Sequence, residues 1–238
     1  MGDYNYGQFS ADQYDLLNFA GPKPGEKCPD GEVEALDGSR HRLLDFQGDF
    51  LVLEMGSATC PLFQGRRPAM RDLDWNYSEV DFAVLYVREA HPGRTIGAHA
   101  SQDDKRKQAQ ALRDRDAEHR RILLDDFDGK LHAALGGFPN SVFIINRNGC
   151  VVFFSDWNDP KAVGVALARL RRGEALDIRS YFKPVPPSVS LRVLKAAGPG
   201  ALWDFLSSLP ALVWKNLIVR NYRQIIGKPV ALDGNTAC

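Results

Sequence analysis

The chain has 238 residues, 44% of them hydrophobic, which is enough to bury a sizeable core in one domain with an extension. Its thirty basic and thirty acidic side chains cancel, so no global field directs it to nucleic acid or to an acidic partner. No stretch is long and apolar enough to span a bilayer. The polar start, M-G-D-Y-N-Y-G-Q-F-S, lacks the basic and apolar regions of a signal peptide. Tyr6 stands where a myristoylation signal wants Ser or Thr after Gly2. Four widely spaced cysteines (Cys28, Cys60, Cys150, Cys238) without a secretory signal do not read as a disulfide framework. The expected setting is a reducing cytoplasm.

Residues 1–24 are rich in aromatics, and Ser10 is placed to cap a short helix over residues 11–19 that Pro22 and Pro24 end. Alternation at residues 32–36, an Asp37-Gly38 turn and a second alternation at 40–44 predict a β-hairpin. The apolar run Phe50, Leu51, Val52, Leu53 predicts a strand buried on both faces. That run breaks at Gly56 and Ser57 and delivers Cys60 where Pro61 starts a helix to about residue 78, with Pro68 placed to kink it. Unpaired N–H groups and the helix dipole at such a junction favour thiolate, which makes Cys60 the expected nucleophile.

A second buried strand follows at residues 81–87, then the loop E-A-H-P-G-R-T-I-G-A-H, then a charged helix over 101–120 with a solvated face. A short strand at 122–124 and a short helix at 130–135 precede strand, Asn148-Gly149 turn and strand. Residues 160–172 form an amphipathic helix with Val163, Leu167 and Leu170 on one side. The order of hairpin, β-α-β, α, β, short α, β-β and α predicts a mixed sheet in an α/β domain.

This pattern resembles the thioredoxin-like fold of the redoxins, carried by Cys60 at the first strand–helix junction, by Phe138-Pro139 before a late strand, and by the I-I-N-R-N-G hairpin. In that fold the proline is cis and faces the cysteine. Phe63 stands where a dithiol oxidoreductase needs its second cysteine, and Leu53 where a peroxiredoxin carries proline. A closer match is the iodothyronine deiodinases. G-S-A-T-C-P (residues 56–61) resembles their G-S-C-T-Sec-P, Y-V-R-E-A-H-P (86–92) their Y-I-E-E-A-H-P, and H-A-S-Q-D-D-K (99–105) their H-R-S-L-E-D-R. The three motifs stand in one order and, with flanking strands, cover residues 45–170. Ala58 replaces the family's nearby cysteine, and sulfur at Cys60 replaces selenium, so the resemblance implies slower chemistry without that resolving thiol.

The resemblance implies a cysteine-dependent reductive dehalogenase acting on a halogenated aromatic compound, with no bound cofactor, no metal and an external thiol as reductant. A thiol peroxidase acting on peroxide, and a non-catalytic redoxin-fold binding module, are the alternatives. Cys60 is the expected nucleophile; His91, with a pKa near working pH, supplies a proton or polarises the substrate, and Glu89 orients it or shares its proton. His99 and Pro139 lie near the substrate by resemblance. Ser57 and Thr59 either hydrogen-bond the thiolate or cap the helix. The expected division is an N-terminal segment over 1–24, the thioredoxin-like domain over 25–180 and a helical extension over 181–238. The extension holds too many aromatic and aliphatic residues for a free surface: packing back on the domain, a homodimer contact and a membrane-surface helix with Lys215, Arg220 and Arg223 are the readings it leaves open. Cys238, at the end, is a candidate mobile resolving thiol.

Overall fold

A computed structural model describes residues 4–238, so Gly2 and the start of the N-terminal segment lie outside the described residues. Seven strands form one sheet: β1 (Glu32–Ala35), β2 (Arg40–Arg42), β3 (Phe50–Gly56), β4 (Val80–Tyr86), β5 (Arg121–Leu124), β6 (Val142–Asn146) and β7 (Val151–Ser155). Their spatial order is β2-β1-β5-β4-β3-β6-β7. β3, β4 and β5 are parallel, whereas β6, β7 and the β1–β2 hairpin run antiparallel to their neighbours. This is a thioredoxin-like fold with a hairpin added at one edge.

Period-two alternation sorts β3 onto two cores. Leu51, Leu53 and Met55 face one side with Val33, Leu123, Phe143 and Ile145, where α3 (Lys130–Ala134) adds Leu131. Val52 faces the other with Phe82 and Ile144, covered by α1 (Pro61–Asn76) and α4 (Pro160–Arg171) through Met70, Val163 and Leu167. Further along that side, Val84 and Ile122 meet Phe63 of α1 and Leu112 of α2 (Gln102–Asp116). Helix α1 runs unbroken through Pro68.

The helix expected over residues 11–19 is instead one 3-10 turn, Ala11–Gln13. The reason is tertiary: Tyr6, Phe9, Tyr14 and Leu16 separate to reach Phe138 and Trp157, which one helical face would not allow. The Arg88 guanidinium lies about 5 Å from the rings of Tyr4, Tyr6 and Tyr14 and holds them together.

Beyond α4 the chain forms α5 (Pro187–Ala197), α6 (Ala201–Leu212), a π-helical segment (Val213–Arg220) and α7 (Asn221–Ile226). The inner side of these helices packs back over the domain: Trp157 Nε1 donates to Asn216 Oδ1 at 3.0 Å and Arg220 Nε donates to Asp156 Oδ1 at 2.8 Å. The tail then crosses to the sheet, where Leu232 bridges Leu176 and Asn146 Nδ2 donates to the carbonyl of Thr236. There Cys238 forms a disulfide with Cys150. That pairing corrects the expectation of four unlinked thiols and removes Cys238 as a mobile resolving thiol; 88 residues separate the two, so sequence spacing gave no sign of it.

Candidate active site

β3 ends at Gly56, where a Cβ would fall 2.4 Å from the Phe63 ring, so only glycine lets helix α1 close on the strand. Residues 57–60 then turn, with Cys60 N–H donating to the Ser57 carbonyl at 3.3 Å. Cys60 is the residue before the first helical position, held by Pro61 at the helix start. Its sulfur faces the backbone N–H groups of Leu62 and Phe63 and the Arg66 charge.

These groups favour thiolate, but burial outweighs them and pushes the Cys60 thiol up to about 11. The expectation of a thiolate at neutral pH is therefore corrected for this closed form: helix-terminal N–H groups oppose desolvation without overcoming it. Cys28, the second free cysteine among the described residues, is pushed up to about 12 by burial. It belongs to the core on the opposite side of the sheet.

The loop carrying Cys60 is latched to the loop after β4. Glu89 Oε2 accepts from Thr59 N–H (2.9 Å) and Thr59 Oγ1–H (2.6 Å), while its Oε1 accepts from the Tyr86 hydroxyl and pairs with His99 Nε2 at 3.3 Å. Thr59 Oγ1 in turn accepts from His91 N–H at 3.0 Å, and Ser57 Oγ from Ala90 N–H at 3.2 Å. Burial raises the Glu89 pKa, yet the hydrogen bonds of His99, Thr59 and Tyr86 outweigh it and hold the carboxyl below its ordinary value.

Four expectations change with this geometry. Glu89 binds Thr59, Tyr86 and His99 rather than orienting the His91 ring. Ser57 and Thr59 neither reach the sulfur nor cap α1; both face the other loop. His99 is wholly buried behind that loop on Glu89, away from the cavity described next. Phe138-Pro139 is trans, with no cis peptide among the described residues.

Cys60, His91 and Pro139 share the wall of a cavity of about 150 Å³, together with Phe9, Trp157, Phe205, Leu212 and other apolar side chains. Among its lining residues none is charged. Its roof is the segment α6 to Leu217, outside all three sequence motifs. The His91 ring lies 4.1 Å from that of Phe9 and edge-on to Phe205 at 5.4 Å. Its Nδ1 has no hydrogen-bond partner, and burial pushes its pKa down to about 3. The neutral ring corrects the expected value near working pH: no carboxylate stands by to hold a proton on it.

A buried polar network beneath the site escaped sequence reasoning. Glu54, in the middle of β3, accepts from Arg120 Nη1 (2.7 Å), Asn140 Nδ2 (2.9 Å) and Asn158 Nδ2. Arg66 donates to Asn140 Oδ1 at 2.9 Å, tying helix α1 to the residue after Pro139. The signal was present: a carboxylate inside an apolar strand buried on both faces demands partners.

The iodothyronine deiodinase family matches residues 9–156. Similar curated proteins include thyroxine 5-deiodinase of Gallus gallus, 30% identical over 136 residues that make up 52% of this chain and 52% of that protein. Type II iodothyronine deiodinase of Rattus norvegicus is 29% identical over 149 residues, 56% of this chain and 55% of that one. The chain thus spans about half the length of the curated relatives it matches. In structure it is similar to an uncharacterised conserved protein of Geobacillus kaustophilus (TM-score 0.53, 16% identity, 73% of this chain and 87% of that one). A protein disulfide isomerase candidate from Bacteroides thetaiotaomicron aligns with TM-score 0.50 and 13% identity over 64% of this chain and 92% of that one. At such identities the likeness concerns the fold alone.

Proposed function

The chain belongs to the iodothyronine deiodinase family, and from that premise we propose that it is a thiol-dependent reductive dehalogenase of small, uncharged halogenated aromatic compounds. One observation carries the reading: Cys60 at a helix N-terminus and His91 with an unpartnered ring nitrogen share one apolar cavity. A cavity near 150 Å³ matches the size that holds a single benzene ring. Its lack of charged lining residues suits a substrate without a carboxylate or ammonium group.

In the proposed cycle substrate enters by lifting the roof, which hydrates Cys60. Hydration removes the burial that raises its pKa, while Leu62 N–H, Phe63 N–H and Arg66 still favour the anion. The thiolate attacks the halogen, forming S–X as the carbon–halogen bond breaks with its electron pair left on carbon. The same opening hydrates His91, which takes the Cys60 proton on its unpartnered Nδ1 and hands it to that carbon. An external thiol then attacks the S–X sulfur, expelling halide and leaving a mixed disulfide; a second thiol releases Cys60 as thiol and departs as disulfide. The balance is aryl halide plus two thiols to arene, hydrogen halide and one disulfide. Cys28, buried in the opposite core, takes no part.

The test is iodide release from a neutral aryl iodide in the presence of dithiothreitol. Cys60→Ser is expected to abolish it, and His91→Ala to slow it by about 10²–10⁴-fold, the range of general acid help. Iodide release by Cys60→Ser at the wild-type rate would overturn the proposal. So would a wild-type protein that consumes hydrogen peroxide and releases no iodide.

A further inference from the structure

Most of the large apolar side chains left outside the core gather on one surface. From Ala201 to Ile226 the chain is helical without a break. Its inward side carries Phe205, Leu212, Asn216 and Arg220. Its outward side carries Trp203 (74% exposed), Leu206, Trp214 (59%), Ile218, Tyr222 and Ile225, at spacings of three, four and eight residues. A helix apolar on both sides is either enclosed by protein or faces lipid. Here no described residue of this chain covers the second side.

Charge selects the occupant. Between residues 201 and 230 the single acidic side chain, Asp204, is buried and accepts from Gln8 Nε2 at 3.0 Å. Arg223 and Lys228 are exposed, and Lys215 sits at the margin beside the exposed Asp12. A two-fold dimer through this face would set it against its own copy, cation to cation, with no exposed carboxylate in the segment to answer them. Anionic headgroups answer them directly, and Trp and Tyr are the residues that settle at headgroup depth. We propose that residues 201–226 dock the protein on an anionic lipid surface as an in-plane helix, with Trp203, Trp214 and Tyr222 inserted at the interface. The same helix roofs the cavity, so docking sets the roof against the phase in which apolar molecules concentrate. The docking stands whether or not Cys60 dehalogenates.

The experiment sediments the full chain with phosphatidylcholine vesicles made with and without phosphatidylserine, following tryptophan emission. Pelleting with a blue shift is expected on the anionic vesicles, weaker on the neutral ones, and reduced by salt. The pair Trp203→Glu and Trp214→Glu is expected to lower partitioning by about tenfold or more, since binding scales with inserted apolar area. Trp75→Glu, at an exposed tryptophan on α1, is expected to bind like wild type. Absence of pelleting with both vesicles would overturn the proposal, as would pelleting untouched by the tryptophan pair. A concentration-dependent dimer in vesicle-free solution, dissolved by the same pair, would assign the face to a second copy instead.

Discussion

Burial holds two histidines in the neutral form: His91 beside the cavity and His132 on the inner face of α3, each with its pKa pushed down to about 3. His132 accepts from the Tyr4 hydroxyl at Nδ1 (2.8 Å) and donates from Nε2 to the Phe138 carbonyl (2.9 Å), so both its nitrogens are engaged by the uncharged ring. In the unfolded chain both histidines titrate near 6.5. Below that pH the unfolded state binds more protons, so stability falls as pH falls until the folded value near 3 is reached. Each histidine takes away about 1.4 kcal/mol per pH unit within that window, about 2 kcal/mol at pH 5. Urea unfolding measured from pH 7 to 4 should therefore show a steep decline, and His91→Asn should lower its slope by about one proton. A slope unchanged by that substitution would mean that His91 is charged in the folded protein. At this scale the sequence revealed which residues crowd the site but not their ionisation. His91 reads as a titrating loop histidine until Phe9 and Phe205, 82 residues before it and 114 after, are seen to enclose it.

Strand β3 supplies both core faces and, through Glu54, the polar centre that fixes the cavity floor. Glu54 and Arg120 are almost wholly withdrawn from solvent, and Arg120 also binds Glu118 at 2.7 Å. A buried ion pair of this kind contributes little over an apolar pair, yet breaking it from one side leaves a bare charge and costs about 3–5 kcal/mol. Arg120→Met should lower stability by about that amount in urea melts. Glu54→Gln, which keeps an acceptor for Asn140 and Asn158, should cost less. If Arg120→Met melts like wild type, the pair is not intact in solution. Element order was largely legible from periodicity: β1, β2, β4 and β5 were anticipated within two residues, and β3, β6 and β7 as strands in the right place, because alternation and turn residues are local signals. The N-terminal helix was not, because its aromatics answer to Phe138 and Trp157 rather than to one another. The partners of Glu54 lie 66 to 104 residues away, beyond any local pattern.

The molecule as a whole is closed over Cys60, the proposed nucleophile. The roof is held at its start where Thr95 N–H and Ile96 N–H donate to the Ala197 carbonyl, and at its end by the tail that Cys150–Cys238 fastens to the sheet. Family motifs end before this roof begins, which is why sequence reasoning singled out Cys60 and left its cover open among packing, dimer and membrane. The closed state makes a quantitative claim about Cys60. With its thiol at about 11, the thiolate fraction at pH 7 is about 10⁻⁴, against a few per cent for an ordinary cysteine. In a Cys28→Ser background, iodoacetamide should modify Cys60 at least about a hundredfold more slowly than a free thiol at pH 7. The rate should climb about tenfold per pH unit up to pH 10 without a plateau. Phe205→Ala, which removes the ring over His91 and opens the roof, should raise the neutral rate and bring the midpoint down, because water returns to the sulfur while the Leu62 and Phe63 N–H groups stay in place. Cys238→Ser should do the same more weakly, since it frees only the tail beyond α7. Labelling of the parent protein at the free-thiol rate would mean that the roof stands open in solution, and desolvation would no longer account for the state of Cys60.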